Sequence, residues 1–236
     1  VLVGKDRVLV VDTGANESSE ESPLYATVRS LLDRDSGNNR AKPILVVHSH
    51  SHGDHTMGDP QFSGKEGVEV VGKSHHALES QLGLVEWPSK SATLDLGERV
   101  VTFIPIPGHQ EQSIAIYDQQ TGWLLTGDSF YPGLIRVKNW QEYKNSIERL
   151  VSFSMDNPVS LVLGTHVEMN GETNEIYPIG STYQPNELPL GLQISELHRL
   201  NAKLRETKKA KKLEFDKFVI SPLSRFEKML SDMLSN

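Results

Sequence analysis

Four imidazoles and one carboxylate crowd into His48-Ser49-His50-Ser51-His52-Gly53-Asp54-His55. Imidazole nitrogen and carboxylate oxygen both suit zinc, iron and manganese, so a run this dense reads as a metal site. The competing reading is a solvated polar loop whose histidines serve only as hydrogen-bonding partners. The position of the run weighs against that. It follows directly on Pro43-Ile44-Leu45-Val46-Val47, a continuous aliphatic stretch of the kind found in strands buried on both faces. Its polar groups would sit at the carboxyl end of that strand, where open α/β sheets place their chemistry.

Three further strand-like segments end the same way. Glu98–Pro105 runs into Ile106-Pro107-Gly108-His109. Ser113–Tyr117 and Trp123–Thr126 form a hairpin pattern around residues 118–122 that leads into Gly127-Asp128, and Val159–Leu163 leads into Gly164-Thr165-His166. Four strand ends thus offer ligand-type side chains, and their convergence is a stronger signal than any one motif.

The remaining elements must carry those ends. Residues 1–14 read as two strands joined at Gly4-Lys5-Asp6. A helix is expected over residues 23–35, stopped by Ser36-Gly37-Asn38-Asn39, followed by strands at 43–48 and 68–71 and a helix at 74–82. Asn139–Ser152 has helical spacing with Trp140, Tyr143, Ile147 and Leu150 on one side. Beyond residue 187 the texture changes to an amphipathic helix at 190–204, a basic cluster at 203–212 that reads as a solvated helix face, a strand-like piece at 215–223 and a short helix at 225–234. Runs of strands followed by helices place sheets in the middle and helices outside.

Composition narrows the chemistry. At 236 residues the chain can bury a substantial core. It has no cysteine, which excludes disulfides, thiolate cages and cysteine nucleophiles and leaves His, Asp and Glu as the only strong ligands. The 24 basic and 31 acidic residues give a formal charge of −7, which disfavours nucleic acid as a partner. No apolar run approaches the ~20 residues that span a bilayer, so a soluble, cytoplasmic or periplasmic protein with a small-molecule substrate is expected. Val1 already lies inside a strand-like pattern, which leaves room for natural residues upstream and leaves the compartment open. The oligomeric state is not legible.

In their order along the chain, His50-Ser51-His52-Gly53-Asp54-His55, Pro107-Gly108-His109, Thr126-Gly127-Asp128 and Gly164-Thr165-His166 resemble the metallo-β-lactamase superfamily, with Val11-Asp12-Thr13-Gly14 similar to its early strand and loop. The resemblance covers roughly residues 1–185. It implies a four-layer αββα sandwich with a binuclear metal site at one edge of the paired sheets. We expect residues 1–186 to form that domain and 187–236 to be a mainly helical extension packed on it. By the same resemblance His50, His52 and His109 would hold one metal, Asp54, His55 and His166 the other, and Asp128 would bridge them. Two divalent ions are implied, zinc first, with iron or manganese as alternatives. A shared hydroxide would be the nucleophile, and Asp54 would help to orient it.

Other polar residues carry two readings each. His48 is expected to pack or to support a ligand, Asp12 to support the site or form a turn, and His75, His76 and His198 to be surface or packing residues. Tyr131 is a candidate donor to a developing oxyanion, set against a packed aromatic. Within the superfamily, the absence of cysteine excludes lactamases with a cysteine ligand, His52 argues against flavin-linked diiron reductases, and Asp128 points toward glyoxalase II-like hydrolases. Gln110-Glu111-Gln112-Ser113 differs from the glyoxalase II segment at that place, which argues against a glutathione thioester. The expected activity is hydrolysis of a small ester, thioester or lactone. The alternatives are a mononuclear iron persulfide dioxygenase-like activity, and phosphodiester or β-lactam hydrolysis.

Overall fold

The computed structural model describes residues 1–35 and 42–234, so the helix stop expected at Ser36-Gly37-Asn38-Asn39 lies outside the described residues. Alternation along the strands builds the layers. A first sheet has the order β1 (Leu2–Val3), β2 (Val8–Val11), β3 (Ile44–Val47) and β4 (Val68–Val70), with β2, β3 and β4 parallel. On β2 and β3, Val8, Val10, Ile44 and Val46 face outward onto Val28 and Leu32 of helix α1 (Leu24–Asp35) and onto Phe62. Leu9, Leu45 and Val47 face the other way. Side chains of period two must divide in this manner, and a strand covered on both faces therefore reads as an unbroken aliphatic run.

After β3 come two short helical turns, α2 (Gly53–Thr56) and α3 (Asp59–Phe62), and after β4 the helix α4 (His75–Leu82), capped by Ser74 Oγ. The chain then enters a second sheet through β5 (Ala92–Asp95), β6 (Val100–Pro105), β7 (Ile114–Asp118) and β8 (Trp123–Gly127). Val101 and Phe103 of β6 and Ile114 and Ile116 of β7 meet the inward residues of the first sheet, forming the core between the sheets. Ile104, Ala115, Tyr117 and Leu124 point to the opposite face.

That outer face is covered by helices. After β9 (Leu134–Val137), helix α5 (Trp140–Asp156) buries Tyr143, Ile147, Leu150 and Val151, one stripe at helical spacing. It runs four residues past the expected Ser152, and the partly buried Phe153 of that last stretch packs against the same cluster. Strand β10 (Leu161–Gly164) adds to that sheet, and β11 (Gly191–Leu192) pairs antiparallel with it at the edge. The helix expected from residue 190 therefore starts later, as α6 (Ile194–Glu206), whose Leu197, Leu200 and Leu204 join the same buried cluster as α5. A third sheet has the order β12 (Leu213–Glu214), β13 (Val219–Pro222) and β9, and α7 (Arg225–Leu234) ends the described chain. The layers thus run helix, sheet, sheet, helix. Residues beyond 187 are woven in through β11 and through the parallel pair of β13 with β9.

Lys203, Arg205 and Lys212 make surface pairs with Glu206, Glu148 and Glu214, as a solvated basic face should. No helix among the described residues is long and apolar enough to cross a membrane.

One buried ion pair ties the two sheets at their far end. Arg99 reaches the fully buried Asp118 with two hydrogen bonds, Nε to Oδ1 at 2.9 Å and Nη2 to Oδ2 at 2.6 Å, and donates through Nη1 to the Val3 carbonyl at 3.2 Å. Burial alone would raise the Asp118 pKa, but Arg99 and the Thr121 hydroxyl outweigh it and hold the carboxyl below its usual range. A depressed folded-state pKa contributes stability above the unfolded value of about 3.9, and that stability is lost as pH falls through the folded value. Asp118→Ala should therefore cost about 3 kcal/mol near neutral pH, because it strands a largely buried guanidinium. Thermal melts of the two proteins at pH 7 and pH 3 check this: the gap in Tm should narrow at the lower pH, and an equal gap at both would count against the assignment.

Candidate metal centre

The histidine run begins where β3 leaves the first sheet, and Asp12, at the end of the neighbouring β2, holds it. Asp12 Oδ1 accepts from the Ser49 amide at 2.7 Å. Its Oδ2 accepts from Ser49 Oγ at 2.8 Å and from His55 Nδ1 at 2.9 Å. The Asp12 backbone has φ 61°, a left-handed conformation that Asp tolerates better than most residues. Ser49 in turn accepts from the Ile114 amide at 2.8 Å, which links the loop to β7 of the second sheet. The turn of α2 then swings Asp54 and His55 back toward the site, and the Thr13 amide donates to the His55 carbonyl at 2.8 Å.

The other ligand-type residues are delivered by their strand ends. His109 follows Gly108, whose φ is 144° and whose missing Cβ would lie 2.5 Å from Tyr143 Cα. Only glycine lets this loop lie against α5, where the Gly108 carbonyl accepts from the Lys138 and Asn139 amides. Asp128 follows β8, and Thr165 after β10 donates from its hydroxyl to Asp128 Oδ1.

These residues fall into two sets that share Asp128. In one, His52 Nδ1 lies 2.9 Å from His50 Nε2 and 3.2 Å from His109 Nε2, and Asp128 Oδ2 is 3.7 Å and 3.5 Å from those same Nε2 atoms. In the other, Asp128 Oδ1 lies 3.4 Å from His55 Nε2 and 3.3 Å from His166 Nε2, with Asp54 Oδ2 at 3.5 Å and 3.6 Å from the same two nitrogens. Each oxygen of one carboxylate therefore serves one set. The centre is buried at His50, His55, His109 and Asp128 and opens toward solvent at Asp54 and His166.

The donors fit a cation. Three imidazole nitrogens turned toward one another are a poor arrangement for lone pairs alone, whereas a tetrahedral ion with bonds of about 2.05 Å holds its ligand atoms about 3.3 Å apart. Among the described residues His55 Nε2 is a buried polar atom that makes no hydrogen bond, and its separations from Asp128 Oδ1 and Asp54 Oδ2, 3.4 Å and 3.5 Å, suit ligand atoms around one cation. The far nitrogens are already engaged: His109 Nδ1 lies 2.8 Å from the Arg136 carbonyl and His55 Nδ1 contacts Asp12, which aims both Nε2 atoms at the centre.

The two sets differ in charge. Burial holds His50 well below the ordinary imidazole range, lowers His109, and brings His52 to about 4, so this set is neutral. Burial also opposes charge on His55, but Asp12, Asp128 and Asp54 around it push it up to about 12. Hydrogen bonding to Asp128 and Asp54 raises His166 to about 10. His166 and His55 in turn hold Asp54 far below the carboxylate range, and they outweigh the burial of Asp128 to do the same there.

All seven residues expected as metal ligands are brought together. His48 is not among them: its Nε2 pairs with Asp59 Oδ1 at 2.8 Å, where Thr13 Oγ1 also donates, so it braces the loop from behind. Tyr131 requires a correction. Its hydroxyl, a candidate donor to a developing oxyanion, instead donates to the Leu134 carbonyl at 2.7 Å, with Glu168 Oε2 at 3.2 Å, and at 4% exposure the residue fits the competing reading of a packed aromatic. Only its ring reaches the centre, edge-on to His166 at 5.4 Å. His76 is exposed, and His198 pairs with Ser154 at the surface. His75, read as surface or packing, instead lines a cavity with Trp87 beside the His109 loop. The brace at Asp59 and the contacts of Thr165 and the Arg136 carbonyl were not anticipated, because nothing in their local sequence reports a partner 11 to 37 residues away.

A layered α/β sandwich with a His and Asp cluster at one edge of its paired sheets defines a class of metal-using proteins. The sequence profile of the metallo-beta-lactamase superfamily matches residues 1–166, and the chain belongs to that superfamily. It is 27% identical over 222 residues to the acyl-coenzyme A thioesterase MBLAC2 of Bos taurus, covering 76% of each chain. It is 30% identical over 90 residues to the hydroxyacylglutathione hydrolase of Anaeromyxobacter dehalogenans, covering 38% of this chain and 34% of that one. Among solved structures, the metallo-beta-lactamase from Pontibacter korlensis aligns with a TM-score of 0.52 at 17% identity, covering 86% of this chain and 85% of that one, a likeness of fold. The superfamily and the cluster together imply use of a divalent metal, and the two sequence relatives are hydrolases.

Two outcomes follow for metal loading. Asp12→Ala removes the partner that orients His55 and should weaken metal binding about 10- to 100-fold in a chelator competition; unchanged affinity would remove Asp12 from this role. Since His55 and His166 hold protons that a cation must displace, adding zinc to metal-free protein at pH 7 should release protons to an indicator dye. The apparent affinity should rise as pH climbs toward the His166 value of about 10. Loading without proton release would contradict the charge assignment.

Proposed function

We propose that this protein is a binuclear metal-dependent hydrolase acting on thioesters, with small esters and lactones as the nearest related substrates. The observation that carries the reading is the division of Asp128, one oxygen toward each of two ligand sets. His50, His52 and His109 would hold one ion, Asp54, His55 and His166 the second, with Asp128 shared and zinc as the metal best matched to these donors. Residues 1–186 would form the catalytic domain and 187–236 an extension packed on it. The preference for a thioester is supported by the relatives, whose names specify acyl-coenzyme A and hydroxyacylglutathione as their substrates.

Bound ions supply Lewis acidity, which activates water near neutral pH and polarises the acyl carbonyl. The chain's own residues do the positioning. Asp54 stays ionised beside His55 and His166, and its side chain is the more accessible of the two carboxylates, so it would orient the attacking water. Asp12 and the Arg136 carbonyl keep His55 and His109 from rotating. Burial of Asp128 and His50 excludes bulk water from the inner side of the site.

The test joins elemental analysis of the purified protein to a hydrolysis panel of thioesters, lactones, aryl esters, phosphodiesters and β-lactams. About two zinc ions per chain with thioesters preferred is the expected result. Asp128→Ala should lower activity at least ~100-fold and reduce metal content. A single iron with oxygen consumption, or full activity and full metal loading in Asp128→Ala, would overturn the proposal.

A further inference from the structure

Three of the clustered histidines are steadied at the nitrogen that faces away from the centre. His50 Nδ1 lies 3.2 Å from Ser49 Oγ, His55 Nδ1 lies 2.9 Å from Asp12 Oδ2, and His109 Nδ1 lies 2.8 Å from the Arg136 carbonyl. His166 has no such brace. Among the described residues its Nδ1 makes no hydrogen bond, and its side chain is 35% exposed. A ring open to solvent and free at one nitrogen would have to be frozen by the incoming ion, at a cost in rotamer freedom, unless its surroundings fix it first.

The backbone on both sides of His166 is anchored to the segment that runs from Asp128 to Leu134. Before it, the Thr165 hydroxyl donates to Asp128 Oδ1. After it, Glu168 is tied by main chain and side chain together. Its amide donates to the Pro132 carbonyl at 2.8 Å. Its Oε2 accepts from the Leu134 amide at 2.9 Å and lies 3.2 Å from the Tyr131 hydroxyl, which it shares with the Leu134 carbonyl. A carboxylate is a stronger acceptor for such donors than a neutral oxygen. The buried Tyr131 ring then stands edge-on to His166, with centroids 5.4 Å apart. Residue 133 has to be glycine for this to fit: a Cβ there would lie 2.5 Å from Tyr131 Cε2 and 2.9 Å from Glu168 Oε2. Glu168 belongs to neither ligand set, and its Oε2 is engaged at the start of β9.

We propose that Glu168 and Tyr131 form a clasp that positions His166, so that the affinity of the Asp54, His55 and His166 set for its ion depends on two residues that do not touch the ion. Both are positioning residues. Glu168 holds the chain beyond His166 against the start of β9, and Tyr131 supplies the wall against which the imidazole rests. The His50, His52 and His109 set is carried by other loops and does not depend on the clasp. The inference rests on the reading of His166 as a ligand under the proposed function.

The experiment adds cobalt(II) to the metal-free protein and follows binding by calorimetry and visible absorption, in the native chain and in Glu168→Ala, Glu168→Gln and His166→Ala, with Tm measured for each. Two binding events are expected in the native chain. Glu168→Ala should weaken the second about 10- to 100-fold and leave the first unchanged. Glu168→Gln keeps an acceptor for the Leu134 amide and should recover most of that loss. If Glu168→Ala does not fold, Glu168→Asp, which shortens the reach to Leu134, takes its place with the same expected result. A lowered Tm with an unchanged second event is what a merely structural latch would give, and it would overturn the proposal. Loss of the second event in His166→Ala but not in Glu168→Ala would do the same while leaving the ligand reading intact. A second event that survives His166→Ala, or that is missing from the native chain, counts against the ligand reading instead. The clasp is then decided in metal-free protein by nuclear Overhauser contacts between the Tyr131 and His166 rings, which should be present in the native chain and lost in Glu168→Ala. Their retention in that variant would overturn it.

Discussion

The carboxylate of Asp12 is the contact on which the rest of the centre depends. It stands at the end of β2 in a left-handed backbone conformation and accepts three hydrogen bonds, two from Ser49 and one from His55. Through Ser49 it fixes the start of the histidine loop, and through His55 it fixes the end. A loop of eight residues held at both ends by one side chain loses most of its freedom before any ligand arrives. The same Ser49 accepts from Ile114 across the sandwich, so the loop is held between the two sheets rather than draped over one.

That rigidity has a physical reason. Four of the seven clustered residues are buried, and they are polar groups of a kind that burial normally neutralises or expels. The protein compensates unevenly. The set around His50 is neutral because burial suppresses protonation, while the set around His55 and His166 is a network of imidazolium and carboxylate charges. A cation entering the first set meets lone pairs, and one entering the second must displace protons. The shared carboxylate of Asp128 couples the two, since each of its oxygens is already turned toward a different set.

The far end of the molecule does the opposite work. Arg99 and Asp118 form a closed pair, with both carboxylate oxygens engaged and a third bond to Val3. Nothing is left over there for a ligand. The contrast is between an ion pair whose hydrogen bonds are complete and a cluster in which, among the described residues, the buried His55 Nε2 makes no hydrogen bond, and it distinguishes a structural polar site from a candidate metal centre in the same fold.

Much of this was legible in the residues themselves. The aliphatic runs of β2 and β3, the stripe of α5 and the four strand ends are local patterns, set by side-chain periodicity within a few residues, and so they survive without knowledge of partners. The types of ligand follow from composition, because a chain without cysteine has only His, Asp and Glu to offer. Tertiary structure alone decided the rest. Strands β9 and β13 lie over eighty residues apart and are stabilised by each other rather than by their own sequence, and β11 shortened an expected helix by pairing with β10. The Tyr131 hydroxyl turned to the Leu134 carbonyl, His48 turned to Asp59, and His75 joined a cavity, since the direction of a side chain depends on which neighbours the fold brings within hydrogen-bonding reach. Sequence spacing supplied the donors, and only the packing of two sheets could aim them at common points.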